Sequence, residues 1–269
     1  MKKITYSEPG CSRWDPVISV VTPTIRKEGL DIIKKSLEKQ TWKSFEWIIG
    51  SPFDPEIEDG KFFKVRWVKD DFKDGFWSLN RIYNKIFKEC RGTVIVSLQD
   101  WIHIPPRGLE AFLEAFKEVG EAVISGVGDQ YEQLNEFGKP EVKIWSDPRK
   151  HDGGLYECYP NDAEWNWCAF SKKFIYEVGG MDEQLDFLGV GGDQLQVGER
   201  WDAMGKKFYL DQSNESFTLR HGREDFGGQK EWDSKHVLFR PGKTGKSLYD
   251  ERKKELIKSG KWPVLDFLP

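Results

Sequence analysis

The run Val17-Ile-Ser-Val-Val-Thr22 is β-branched, nearly all apolar and stopped by Pro23, the pattern of a short strand buried on both faces. Leu30, Ile33 and Leu37 then recur at helical spacing and predict an amphipathic helix over about 27–39. Phe45-Glu-Trp-Ile-Ile49 predicts a second strand, ended by Gly50-Ser-Pro52, and Val65-Arg-Trp-Val68 a third. Leu79, Ile82, Tyr83, Ile86 and Phe87 form an i, i+3, i+4, i+7, i+8 stripe, the clearest helix in the chain. Thr93-Val-Ile-Val-Ser-Leu98 predicts a fourth strand running into Gln99-Asp-Trp101. Pro105 and Pro106 open a helix with Leu109, Phe112, Leu113 and Phe116 inward, and Ala122 to Val127 predicts a fifth strand. Strands alternating with helices point to an α/β domain with a mostly parallel central sheet flanked by helices.

The second half is less regular. Residues 128–165 are rich in Gly, Pro, Asp and aromatics and predict a few short strands at most. A helix near 171–178 ends at Gly179-Gly180, and another, about 193–204, ends at Gly205 before a strand from Lys207 to Leu210. A helix at 248–258 lies in a Lys-rich tail whose Lys243, Lys246, Lys253, Lys254, Lys258 and Lys261 alternate with Asp250, Glu251 and Glu255, the mark of a solvated face rather than a phosphate stripe. Residues 1–15 read as a loose leader. No repeat, low-complexity segment or linker divides the chain, so the expected layout is one domain over 1–215 with a C-terminal extension, 216–269, packing on it.

Composition narrows the function classes. The 269 residues are 38% hydrophobic and 32% charged, enough apolar content for a core. The formal charge of −4 argues against a dedicated nucleic-acid binder, although a nucleic acid stays open as an acceptor. No apolar run approaches a membrane span and the first residues carry no apolar signal region, so a soluble cytoplasmic protein is expected. Cys11, Cys90, Cys158 and Cys168 lack metal-binding spacing and read as free thiols. The 12 Trp residues serve either as core or as flat platforms for a ligand.

Ligands of open parallel sheets sit outside the carboxyl ends of the strands. Three polar segments fall there: Thr22-Pro23-Thr24, Ser51 to Asp54, and Gln99-Asp100-Trp101. The glycine fingerprints of dinucleotide-binding and P-loop proteins are both missing after the first strand, which removes the main support for those readings. Asp100 follows a strand and precedes a Pro-Pro turn. Its carboxylate suits a hard cation, Mg²⁺ or Mn²⁺, sharing a diphosphate; otherwise it caps the turn.

The order of these segments resembles the family 2 glycosyltransferases of GT-A fold over about residues 16–211. Val17 to Thr24, Leu37-Glu-Lys-Gln-Thr41 and Phe45 to Ile49 look like their opening. Asn84 to Gly92 is similar to the helix before their metal-motif strand, and Leu98-Gln-Asp100 stands where they carry Asp-x-Asp. Val178-Gly-Gly-Met-Asp-Glu183 resembles their Gly-Gly-Phe-Asp-Glu, and Asp193-Gln194 with Arg200 and Gly205 resembles the segment holding their catalytic base. Three positions depart: Leu98 replaces the first metal carboxylate, Gly50-Ser-Pro-Phe-Asp54 replaces Asp-Asp-Gly-Ser, and Gln194 stands at the base position.

The resemblance implies a metal-dependent, inverting transferase that moves a sugar from a nucleotide-sugar donor, UDP-linked, to an acceptor hydroxyl on a glycan or other molecule. Asp193 is the expected base, because a neutral Gln cannot take a proton from an alcohol. Thr22, Pro23, Thr24, Asp54, Asn84 and Asp100 are expected at the donor, and Asp100 with His221 at Mn²⁺ or Mg²⁺. Trp165, Trp167 and Asp162 are expected on the acceptor side, where indole faces stack on sugar rings, unless the two Trp pack beneath a loop. The rival readings are a GT-A-shaped nucleotide- or glycan-binding protein without catalysis, and a nucleotidyltransferase.

Overall fold

The computed structural model describes residues 16–70, 79–135, 139–188, 193–220 and 245–269. The leader at 1–15 lies outside them. Four strands, β1 (Ile18–Pro23), β2 (Phe45–Ser51), β3 (Lys64–Lys69) and β4 (Val94–Leu98), are parallel and lie in the order β3-β2-β1-β4. β1, β2 and β4 are buried along their whole length, as their continuous apolar runs require, whereas β3 is an edge and half exposed.

Successive residues of a strand point to opposite faces. Val20, Trp47, Ile49 and Val96 therefore share one core with Leu30, Ile33 and Leu37 of helix α1 (Leu30–Glu38). Val21, Ile48 and Ile95 share the other with Ile82, Tyr83, Ile86 and Phe87 of α2 (Leu79–Glu89). Leu109, Phe112 and Phe116 of α3 (Gly108–Val119) join the first core. The apolar stripes read from the sequence are the faces that pack.

The rest of the sheet is mixed. β5 (Ile102–His103), β6 (Val123–Leu134), β7 (Pro140–Trp145), β8 (Leu155–Glu157), β9 (Trp167–Ser171) and β10 (Phe208–Leu219) complete ten strands among the described residues, in the order β3-β2-β1-β4-β9-β6-β10-β5, with β7 on β6 and β8 on β10. β10 is parallel to β6, but β9 enters antiparallel between β4 and β6. The expectation of a mostly parallel sheet thus holds for the first four strands. No crossover helix separates β6 from β9 in the described residues, and an antiparallel neighbour needs none.

β6 and β10 also run further than the sequence predicts. Past Val127 and Leu210 their side chains turn mostly polar, with Asp129, Asp211, Asn214 and Ser216 still buried, while backbone pairing continues to Leu134 and Leu219 with a register shift between Asp211 and Glu215. The boundary expected between 215 and 216 falls inside β10.

Helices α4 (Lys172–Glu177), α5 (Gln184–Leu188) and α6 (Asp193–Ala203) follow β9, and α7 (Gly245–Lys258) begins the last described segment. After α7 the chain returns along the turn following α4: Leu265 N–H donates to Val178 O at 2.9 Å, and Phe267 and Leu268 donate to Gly179 O at 3.0 Å each. Gly179 has φ +69°, and a Cβ there would stand 1.7 Å from Leu265 O, so only glycine fits. Cys90, Cys158 and Cys168 carry free thiols, and Cys11 lies outside the described residues. No helix among the described residues is long and apolar enough to cross a membrane.

Candidate functional site

The chain steps from β1 to β2 and β3 on one side, while β4 flanks β1 on the other. Strand order reverses between β1 and β4, and the crevice outside their carboxyl ends is where an open α/β sheet binds ligands. Thr24 and Arg26 come from the first strand end, Asp100 from the second. Asp100 Oδ2 accepts from Thr24 Oγ1 at 2.5 Å and from Arg26 Nε at 2.9 Å, and Arg26 Nη2 donates to Oδ1. The pair is bidentate and its carboxylate buried: the Asp100 side chain is 4% exposed and that of Arg26 23%. Thr24 Oγ1 in turn accepts from Arg26 N at 2.9 Å, fixing the loop.

Trp101, next to the carboxylate, holds the left-handed φ of +64°, a conformation a bulky residue adopts only under constraint from its surroundings. Its ring lies on the Gly29 turn ahead of α1, where a Cβ would come within 2.7 Å of Trp101 Cδ1. The loops after β1 and β4 are thus packed together. A second acid sits three strands away: Asp70, fully buried after β3, accepts from Arg81 Nη2 at 3.0 Å and from Lys85 Nζ at 2.6 Å. The sequence reading missed both Arg26 and this clamp, although Arg81 and Lys85 are one helical turn apart on α2 and so share a face.

The other residues expected at the donor have different surroundings. Thr22 is buried, and its Oγ1 accepts from Trp47 Nε1 at 2.9 Å. Pro23 ends β1 and is buried beside it. Asp54 is exposed in a local turn, accepting from Glu56 N at 2.9 Å. Asn84 faces the Gly-Gly-Met-Asp-Glu turn: its Oδ1 accepts from Met181 N at 2.8 Å, and its Nδ2 donates to Met181 O at 3.0 Å and Glu183 Oε1 at 2.9 Å.

That turn is the second half of the candidate site. Arg200, on α6, donates from Nη1 to Val178 O at 2.8 Å and from Nη2 to Gly180 O at 2.6 Å; burial pushes its guanidinium down to about 10. Asp182 accepts from Gln196 Nε2 at 3.2 Å and from Arg252 Nε of α7 at 2.8 Å. Asp193 opens α6, but its side chain and Gly189 to Gly192 lie outside the described residues. Gln194 Oε1 accepts from Trp165 N at 3.1 Å, a backbone tie suited to an amide.

The aromatic pair is core. Trp165 is 2% exposed and packs against Tyr83, Phe170 and Trp201 with ring centroids 5.4, 4.9 and 5.6 Å away. Trp167, 1% exposed, lies against Phe112 at 4.5 Å on the opposite face of the sheet and donates from Nε1 to Asn214 Oδ1 at 3.2 Å. Their faces are occupied by protein, so the packing alternative describes them and the expected sugar platform is not formed there. Asp162 closes a 3-10 turn, accepting from Tyr159 N at 3.2 Å, and is half-buried.

A cation bound by carboxylates does not fit the described residues. Both oxygens of Asp100 are engaged by Arg26, and Leu98 is fully buried in the core with a hydrocarbon where a second carboxylate would be needed. No three His, Cys, Asp or Glu side chains converge among the described residues. His221 lies outside them.

No family model and no curated protein matches the chain. Solved structures do. S. aureus TarS 1–349 in complex with UDP superposes with a TM-score of 0.52 at 14% identity over 78% of this chain, and the same protein in complex with UDP-GlcNAc with 0.51 at 13% over 76%. GalNAc-T7 with UDP, GalNAc and Mn²⁺ gives 0.56 at 13% over 77%. The chain spans only 62%, 58% and 44% of these three. The neighbours are glycosyltransferases of GT-A type, and at this identity the likeness establishes one thing: a GT-A-like α/β fold with a central sheet flanked by helices.

Proposed function

We propose that the chain is an inverting glycosyltransferase that moves a sugar from a UDP-linked donor to an acceptor hydroxyl on a glycan or other molecule. The reading rests on Thr24, Arg26 and Asp100 meeting at the strand-order reversal of a GT-A-like sheet. Neighbours of that fold solved with UDP and UDP-GlcNAc support it. Thr24 and Asp100 form the floor of the donor site, with Pro23 buried beside them and Asp54 at its rim. Thr22 and Asn84 act beneath it, through Trp47 and Met181.

The acceptor hydroxyl gives its proton to the Asp193 carboxylate as its oxygen attacks the anomeric carbon, and the bond to the diphosphate breaks on the opposite face. Asp193 opens α6, and the Asn84, Arg200 and Arg252 contacts fix the turn that precedes it. The sheet that carries this activity runs to the end of β10 at Leu219, and residues 245–269 pack on the turn beside α6.

UDP release from UDP-sugars, with and without glycan acceptors, tests the reading. Asp193→Asn keeps a helix cap but removes the base, so it is expected to bind UDP normally and lose turnover by about a hundredfold or more. Turnover within a few-fold of the parent would move the base elsewhere. Gln194, tied to Trp165, and the hydrocarbon at position 98 favour the second reading, a binding protein without catalysis. UDP binding with no turnover of any donor would establish that one.

A further inference from the structure

We propose that Arg26 supplies the positive charge that meets the donor's diphosphate, in the place where GT-A enzymes of this type hold a divalent cation, so that donor binding here needs no metal. The inference rests on the nucleotide-sugar reading above and adds what faces the phosphates. Three observations carry it. Asp100, the carboxylate at the end of β4, is spent on a guanidinium, gripped through both oxygens. No second carboxylate stands beside it, because Leu98 is core. The Arg26 side chain is 23% exposed and the Asp100 side chain 4%, so the cation is the more accessible member of the pair.

A cation entering at Asp100 would have to displace a charge-assisted bidentate contact and find its remaining ligands elsewhere, whereas the guanidinium already carries its charge at that strand end. Thr24 ties the two strand ends together without a metal, with its hydroxyl on Asp100 and its oxygen accepting from the Arg26 backbone N–H. In the transfer step the acceptor oxygen bonds to the anomeric carbon and the carbon–oxygen bond to the diphosphate breaks. The bonding pair stays on the departing phosphate oxygen, the acceptor proton goes to Asp193, and Arg26 balances the charge that develops on the leaving group.

The test is UDP affinity by calorimetry on the full chain, in EDTA and in Mn²⁺ or Mg²⁺. The expected result is the same Kd, within about twofold, in all three conditions, with Arg26→Ala raising it by about tenfold or more and Arg26→Lys by less, since an ammonium keeps the charge. UDP binding only with Mn²⁺ or Mg²⁺ would overturn the role of Arg26 while leaving the donor reading intact, and would return Asp100 and His221 to cation binding. No UDP binding in any condition would overturn the donor reading and this inference together. The comparison of EDTA with cation uses the parent protein alone, so it stands even if an Arg26 variant fails to fold.

Discussion

Arg252 and Asp182, 70 residues apart in sequence, form a buried ion pair: Nε to Oδ2 is 2.8 Å and Nη2 to Oδ1 is 3.2 Å, with the Asp182 side chain fully enclosed. Through it α7 grips the turn that leads into α5 and α6. Tyr249 and Lys253, from the same helix, both reach Glu199 of α6. The C-terminal segment is thereby part of the frame that sets where α6 begins.

Removing one partner of such a pair leaves the other charged and enclosed. Arg252→Ala is therefore expected to lower stability by about 3–5 kcal/mol, read from urea denaturation, and Arg252→Lys to recover only part of it because an ammonium cannot make the two-point contact. A midpoint unchanged by Arg252→Ala would mean that the pair contributes nothing to holding α7 in place.

Trp165 and Trp167 sit in different cores, one on each face of the sheet. Each Trp→Ala change is expected to cost about 3–5 kcal/mol of folding stability. The measurement is thermal and urea denaturation of the purified variants. Full stability together with a raised acceptor KM would place the indoles at the acceptor after all.

Acid sensitivity has an identifiable source. Burial works to raise Asp147, yet Arg149, with its side chain and backbone N–H, and the Gly128 N–H hold it below its ordinary 3.8. Burial likewise opposes Asp129, which Lys143, the Asp147 N–H and Lys150 hold below the same value. A folded pKa below the unfolded one means stability that is present above about pH 4 and lost as pH falls through the folded value. Asp147→Asn is expected to be less stable than the parent near neutrality, with a shallower fall in urea midpoint below about pH 4. A parent-like slope would assign the acid transition to other carboxylates.

The thiols are expected to be inert in the native state. Desolvation pushes Cys90 and Cys158 up to about 12 and Cys168 higher still. A thiol reagent at neutral pH should label these three only on unfolding; rapid native labelling of any of them, followed by mass mapping, would contradict that.

The alternation of the strands and the stripes of α1, α2 and α3 were readable because they are local: a few residues suffice to say which face is apolar, and burial follows. The same local reading placed Thr24 and Asp100 at strand ends, where they do meet. It stopped early on β6 and β10 because a run of polar residues looks like a loop, although backbone pairing is indifferent to side-chain polarity.

The sequence by itself determined an α/β chain, its first four strands, the faces of its helices and the polar segments at the strand ends, since each depends on neighbours within a turn or two. Only the tertiary structure decided that Arg26 pairs with Asp100 across 74 residues, that Arg252 closes on Asp182, and that β9 enters antiparallel. It also decided the fate of the indoles. Trp167 fits against Gly126, where a Cβ would stand 2.2 Å from its Cδ1, and against Gly108 on α3. An aromatic side chain serves equally well as a core filler or a ligand platform, and its use depends on which surface covers it. Strand order and long-range packing set that surface, and neither is written in a local pattern.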